Sequence, residues 1–161
     1  MPLRSGQNRM RSSRLSSVTG PKRTSSTRDQ AETLSRKPPR AVSSAASEGA
    51  AQLLTGQSDP EAATRDLAGR GTVLAVVTAG ERGAFWSEGY DVGHSPAVRV
   101  DALDTLAAGD VFHAGFALGL VEGRPLPEIL RFAATAAAIK CTRFGGRLGC
   151  PTRAEVEAFG A

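Results

Sequence analysis

The sequence predicts an α/β fold over residues 45–161, and three observations predict it. A continuous apolar, β-branched run, Val73 to Thr78 (VLAVVT), is bounded by glycines and suits a strand buried on both faces of a parallel sheet. Around it the order is helix, buried strand, two shorter strands, helix, helix, as in a layered α/β domain. Composition then separates this part from what precedes it. Residues 1–44 hold 10 Lys and Arg against 2 Asp and Glu, with no Phe, Trp or Tyr, whereas residues 45–161 hold 10 against 14 and all the aromatics. The net charge of +4 therefore does not describe a basic folded domain.

Each element has a local reason. Ser58-Asp59-Pro60 supplies a cap and a proline for the first helical turn, and EAATRDLAGR continues as a helix of about ten residues that ends at Gly69 and Gly71. Gly80 to Gly83 turns the chain after the buried strand; Ala84 to Ser87 and Val92 to Val100 read as shorter, more polar strands. Phe85 and Trp86 on the first of these are expected in the core. Ala108 to Val121 and Pro125 to Thr142 carry wide apolar faces and read as well-buried helices, and Thr152 caps a last short helix, TRAEVEAF.

The first 44 residues are rich in Ser, Arg, Thr and Pro without a sustained period, and are expected to form a disordered basic leader. They read either as a polycationic arm for nucleic acid or anionic lipid, or as a non-native leader; the abrupt change of composition favours the second. No apolar run approaches the roughly 20 residues of a membrane span, and no apolar stretch follows the basic N-terminus as in a secretory signal, so the expected location is cytoplasmic. Cys141 and Cys150 are too few for a disulfide framework, and with His94 and His113 on distant segments they lack zinc-site spacing.

The chemistry is concentrated in Asp101 to Phe116 (DALDTLAAGDVFHAGF). Small residues at Ala107, Ala108 and Gly109 leave the amides of a helix N-terminus uncovered, which makes an anion site favoured by the helix dipole. Asp110 in the same turn could take the proton of an attacking hydroxyl while those amides hold charge on a phosphoryl group. Taken singly, an acid in a first turn is a common dipole partner. His113, one turn on, reads as a helix-face residue, since nothing nearby would tune it.

The string Asp104-Thr105-Leu106-Ala107-Ala108-Gly109-Asp110 closely resembles the signature D-T-x-[GA]-A-G-D of the ribokinase-like carbohydrate kinases, the PfkB family. Upstream, Thr78-Ala-Gly80-Glu-Arg-Gly83 is similar to the family's T-x-G-x-x-G segment. Downstream, Phe132 to Gly146 and Pro151 to Val156 resemble its Ala-rich helix, glycine loop and final capped helix. The resemblance covers roughly residues 46–161 and implies part of a three-layer α/β/α fold, the C-terminal nucleotide-binding half. It further implies transfer of the ATP γ-phosphoryl to a sugar hydroxyl, with Asp110 as base, Ala107, Ala108 and Gly109 as anion hole, and Thr78, Gly80 and Gly83 along the nucleotide. Mg²⁺ would bridge the phosphates. Asp104, with main-chain carbonyls near Leu106, Lys140, Arg143 and Gly145, would hold a monovalent cation, K⁺.

Three departures stand beside it. Ala134 replaces a frequent Asn, Ser47-Glu48-Gly49-Ala50 replaces N-x-x-E, and the sugar-binding half of a family member of about 300 residues is not recognisable in residues 1–44. The chain is therefore expected to be a truncated sugar kinase with little turnover, and its uncovered faces favour self-association. The rival readings are a remnant that binds nucleotide or a partner without turnover, and a basic-arm nucleic-acid binder.

Overall fold

The computed structural model of the chain describes residues 43–159. The expected leader lies outside the described residues except at its end, because Ser43 and Ser44 open the first strand, β1 (Ser43–Ser47). That strand has the sequence SSAAS, with little intrinsic β-propensity. Its partner supplies what propensity does not: it runs parallel to β2 (Leu74–Thr78), with Ser43 opposite Leu74 and Ser47 opposite Thr78.

Between these strands lie α1 (Glu48–Thr55) and α2 (Pro60–Gly69). The Ser47 hydroxyl accepts from the Ala50 amide at 3.3 Å, and α1 ends at Gly56 in the left-handed region. Asp59 caps α2 by accepting from the Ala62 amide at 2.9 Å, with Pro60 in its first turn. A single 3-10 turn, Gly80–Arg82, follows β2. Then β3 (Ala84–Glu88) and β4 (Asp91–Ser95) complete a four-stranded sheet in the order β1-β2-β3-β4, antiparallel except for the first pair. The strand expected over Val92 to Val100 stops at Ser95; Pro96 has no amide hydrogen to continue the ladder.

The rest is helical: α3 (Ala108–Val121), α4 (Leu126–Cys141) and α5 (Arg153–Phe159). Alternation along β2 assigns the helices to faces. Leu74 and Val76 join Phe112 and Phe116 of α3 and Ile129, Leu130 and Ala133 of α4 in one core cluster, while Ala75 and Val77 join Ala51 of α1 and Ala63 and Leu67 of α2 in another. The sheet is thus sandwiched between two helical layers, the three-layer arrangement expected. Neither aromatic of β3 is fully in the core: half-buried Trp86 packs against the first cluster, and Phe85, also half-buried, faces the opposite way with its ring 4.6 Å from that of His94. Glycines let α3 and α4 approach closely: a Cβ on Gly119 would lie 2.9 Å from Ile129 Cγ1, and one on Gly115 3.1 Å from Ala133 Cα. On the outer side, Val111, Ala136 and Ile139 meet Val156 of α5.

Candidate active site

The first turn of α3 is prepared by Ala107. Its φ of 61° and ψ of 12° make it the one non-glycine residue in the left-handed region among the described residues. Such a conformation costs an L-residue about 1–2 kcal/mol, and it turns the chain sharply into the helix. Ala108 N–H donates to the Thr105 carbonyl at 3.1 Å, so this amide of the expected anion hole is already committed. The amides of Ala107, Gly109 and Asp110 have no hydrogen-bond partner among the described residues. Gly109 is exposed, and a Cβ there would meet nothing within 4 Å. Asp110, also exposed, is the acidic residue of this turn.

The loop before α3 is tied down by Asp104. Its Oδ1 accepts from the Leu106 amide at 2.8 Å and its Oδ2 from the Gly145 amide at 2.9 Å. These amides, followed by Lys140, hold its carboxyl below the usual carboxylate range. Asp104 and Gly145, both named as expected cation ligands, meet across 41 residues of sequence, but through the Gly145 amide, a donor, and not through its carbonyl. The positive charge beside them is Lys140 Nζ, 3.3 Å from Asp104 Oδ2 and donating to the Asp104 carbonyl at 2.7 Å. The family resemblance gives Lys140 only a main-chain carbonyl at this place. Its signal was present, since Lys140 falls on the same helical face as Ala133 and Ala136, a lysine on an apolar stripe.

Gly146 supports the turn from behind: a Cβ on it would lie 3.4 Å from the Ala107 Cβ. The same loop continues to α5, where Thr152 N–H and Oγ1 donate to Glu155 Oε2 at 2.6 and 2.9 Å and Arg143 donates to Glu155 Oε1 at 2.6 Å. This is the expected cap, closed as a capping box. With Arg143 first and Thr152 next, these partners lower the Glu155 carboxyl to about 2.

Thr78, Gly80 and Gly83 lie at the C-terminal end of β2 and in the turn beyond it, where an α/β sheet presents ligand sites. Gly80 and Gly83 have φ of 56° and 87°. At Gly83 no side chain fits, since a Cβ would lie 2.1 Å from the Ser95 carbonyl oxygen. Arg82 of the same turn forms an ion pair with Glu48, the first residue of α1, and its carbonyl bonds His94 Nε2. His113 keeps to its helix face, ring edge toward Phe112, its buried Nε2 without a partner among the described residues.

The model of the pfkB family of carbohydrate kinases matches residues 21–153, beginning upstream of the motifs that carry the resemblance. The chain belongs to this family. It is 42% identical over 81 residues to the ribokinase of Bacillus subtilis, covering 50% of this chain and 28% of that protein. The crystal structure of a putative ribokinase from Agrobacterium tumefaciens matches with a TM-score of 0.71 and 43% identity over 75% of this chain and 40% of that one. A putative ribokinase II from E. coli, solved in complex with ATP and Mg²⁺, matches with a TM-score of 0.67 and 27% identity over 73% of this chain and 38% of that one. The pfkB chain described here spans about a third of the length of the curated relatives it matches. Among its described residues no helix is long and apolar enough to cross a membrane.

Proposed function

We propose that this chain is the nucleotide-binding part of an ATP-dependent sugar kinase working in the cytoplasm. The observation that carries the reading is the left-handed Ala107, which opens α3 with the amides of Ala107, Gly109 and Asp110 uncommitted beside the Asp110 carboxylate. In the reaction, Asp110 accepts the proton of the sugar hydroxyl as its oxygen bonds to the γ-phosphorus. The bond from that phosphorus to the ADP oxygen breaks, and the free amides bind the phosphoryl oxygens as charge develops on them. Thr78, Gly80 and Gly83 line the nucleotide, and the Ala-rich α4 flanks its base.

The chain's own residues fit a Mg²⁺ held mainly by phosphates. No group of three or more His, Cys, Asp or Glu that could hold a metal stands together among the described residues, and Glu48, near the place of the family's N-x-x-E, is paired with Arg82. Mg²⁺ keeps waters and takes few protein ligands at such sites, where it neutralises phosphate charge. The sugar-binding wall of the site belongs to the part of the fold this chain does not span, so the isolated chain is read as a nucleotide binder with little turnover.

Titration of the chain with ADP and with ATP–Mg²⁺ by calorimetry tests this, alongside Gly109→Val. Weak binding in the parent and its loss in the variant, with an unchanged melting temperature, is the expected pair of results. Equal affinity in both proteins would remove the anion hole from the turn before α3.

A further inference from the structure

The cation expected behind the anion hole was K⁺, and the residues around Asp104 do not fit it. Lys140 lies in the last turn of α4 and is fully buried, the one charged side chain among the buried residues of the described chain. Its ammonium has three N–H donors, and three oxygens surround it: the Asp104 carbonyl at 2.7 Å, the Arg143 carbonyl at 3.3 Å and Asp104 Oδ2 at 3.3 Å. These are the ligand types an alkali cation takes, one carboxylate oxygen and main-chain carbonyls. Most of the other oxygens of the expected site are also engaged, the Lys140 carbonyl by the Arg143 amide at 3.0 Å. Asp104 Oδ1 accepts from Leu106, Asp104 Oδ2 also accepts from Gly145, and the Gly145 carbonyl accepts from the Gly149 amide at 3.0 Å. Of the two arginines of this loop, Arg143 is turned away to Glu155 and Arg147 is exposed. A second monovalent cation would have to share Asp104 with an ammonium already in contact with it, and like charges so placed disfavour one another.

We propose that the Lys140 ammonium is this chain's resident monovalent cation, so that the loops carrying Asp104, Ala107 and Gly145 are ordered without K⁺. The proposal deepens the kinase reading and rests on it for its meaning, but not for its test. A buried lysine that serves only as a core ion pair would leave no cation site when shortened of its charge. One that stands in an ion's place would leave a site that an ion can fill.

The experiment is thermal melting of the 161-residue chain in KCl, NaCl and choline chloride at equal ionic strength, beside Lys140→Met, which keeps most of the methylene stem. Neither nucleotide nor turnover enters, so failure of the kinase reading would show separately, in the calorimetry. The parent is expected to melt at one temperature in all three salts. Lys140→Met is expected to melt several degrees lower in choline chloride and to recover saturably in KCl. A K⁺-specific rise in the parent overturns the proposal, as does a folded variant indifferent to every cation. Should the variant fold in no salt, Tl⁺ titration of the parent followed by thallium NMR decides: no bound Tl⁺ supports the resident ammonium, and binding that is lost in Asp104→Asn overturns it.

Discussion

Gly146 stands directly behind Ala107, close enough that a methyl on the glycine would just touch the alanine side chain, at 3.4 Å. The loop after α4 thereby sets how far the left-handed turn before α3 can move. Gly146→Ala should be tolerated, with nucleotide affinity within about twofold of the parent. Gly146→Val should push the turn outward and weaken ADP binding by roughly tenfold, about 1.4 kcal/mol, without touching the nucleotide. Calorimetric affinities of the three proteins check this; equal affinities would separate the loop from the site.

Asp110 should be dispensable for binding and required for transfer. A screen of ketoses, aldoses and nucleosides with ATP–Mg²⁺ should show little or no turnover by the chain alone, because positioning the acceptor hydroxyl can account for ~7–11 kcal/mol of a barrier. Asp110→Asn should abolish whatever remains while leaving ADP affinity unchanged or slightly raised. Robust turnover by the purified chain would show that the sugar wall is present after all.

Glu155 gives a pH signature. Its carboxyl sits at about 2 in the folded protein against an ordinary value near 4.5, so the unfolded state binds its proton first as pH falls. The stability it contributes is fully present above pH 4.5 and is lost as pH drops toward 2. Glu155→Gln should therefore melt lower than the parent at pH 7, with the gap closing across that window, as followed by circular dichroism. A gap independent of pH would mean that the Arg143 and Thr152 contacts carry no net charge effect.

Gly119 tests the α3–α4 seam. A Cβ there would lie 2.9 Å from Ile129 Cγ1 inside the core, so Gly119→Ala should destabilise by about 1–3 kcal/mol despite the better helix propensity of alanine. Gly109→Ala, on an open helix face, should by contrast be neutral or slightly stabilising. Urea denaturation of both variants makes the comparison.

The legible parts of this fold were those with a strong local pattern. VLAVVT named the central strand, Asp59-Pro60 and Thr152 named two helix starts, and the small residues before Asp110 named the turn at α3. What was missed depended on partners distant in sequence. SSAAS is no strand by composition and becomes one through β2; α1 begins with a serine cap and ends at a glycine, but at eight residues it was too short to stand out. The committed Ala108 amide could not be seen either, because the Thr105 carbonyl reaches it only once Ala107 adopts its left-handed angle. Lys140 was visible as an anomaly, a charge on an apolar stripe, but its oxygens come from residues 104 and 143 and needed the folded chain to assemble.

A charge fastened to the backbone differs from a dissolved one in what controls its presence. Lys140 meets Asp104 at a local concentration fixed by four methylenes, whatever the medium contains, and the translational entropy of capture was surrendered when the chain was made. Dilution, desalting or a change of counter-ion therefore cannot strip the loop, whereas a chemistry that neutralises or lengthens a lysine amine can, and only after the helix end has opened to expose it. For this chain, control over the turn at Ala107 has moved from the composition of the surroundings to the opening rate of one buried helix terminus.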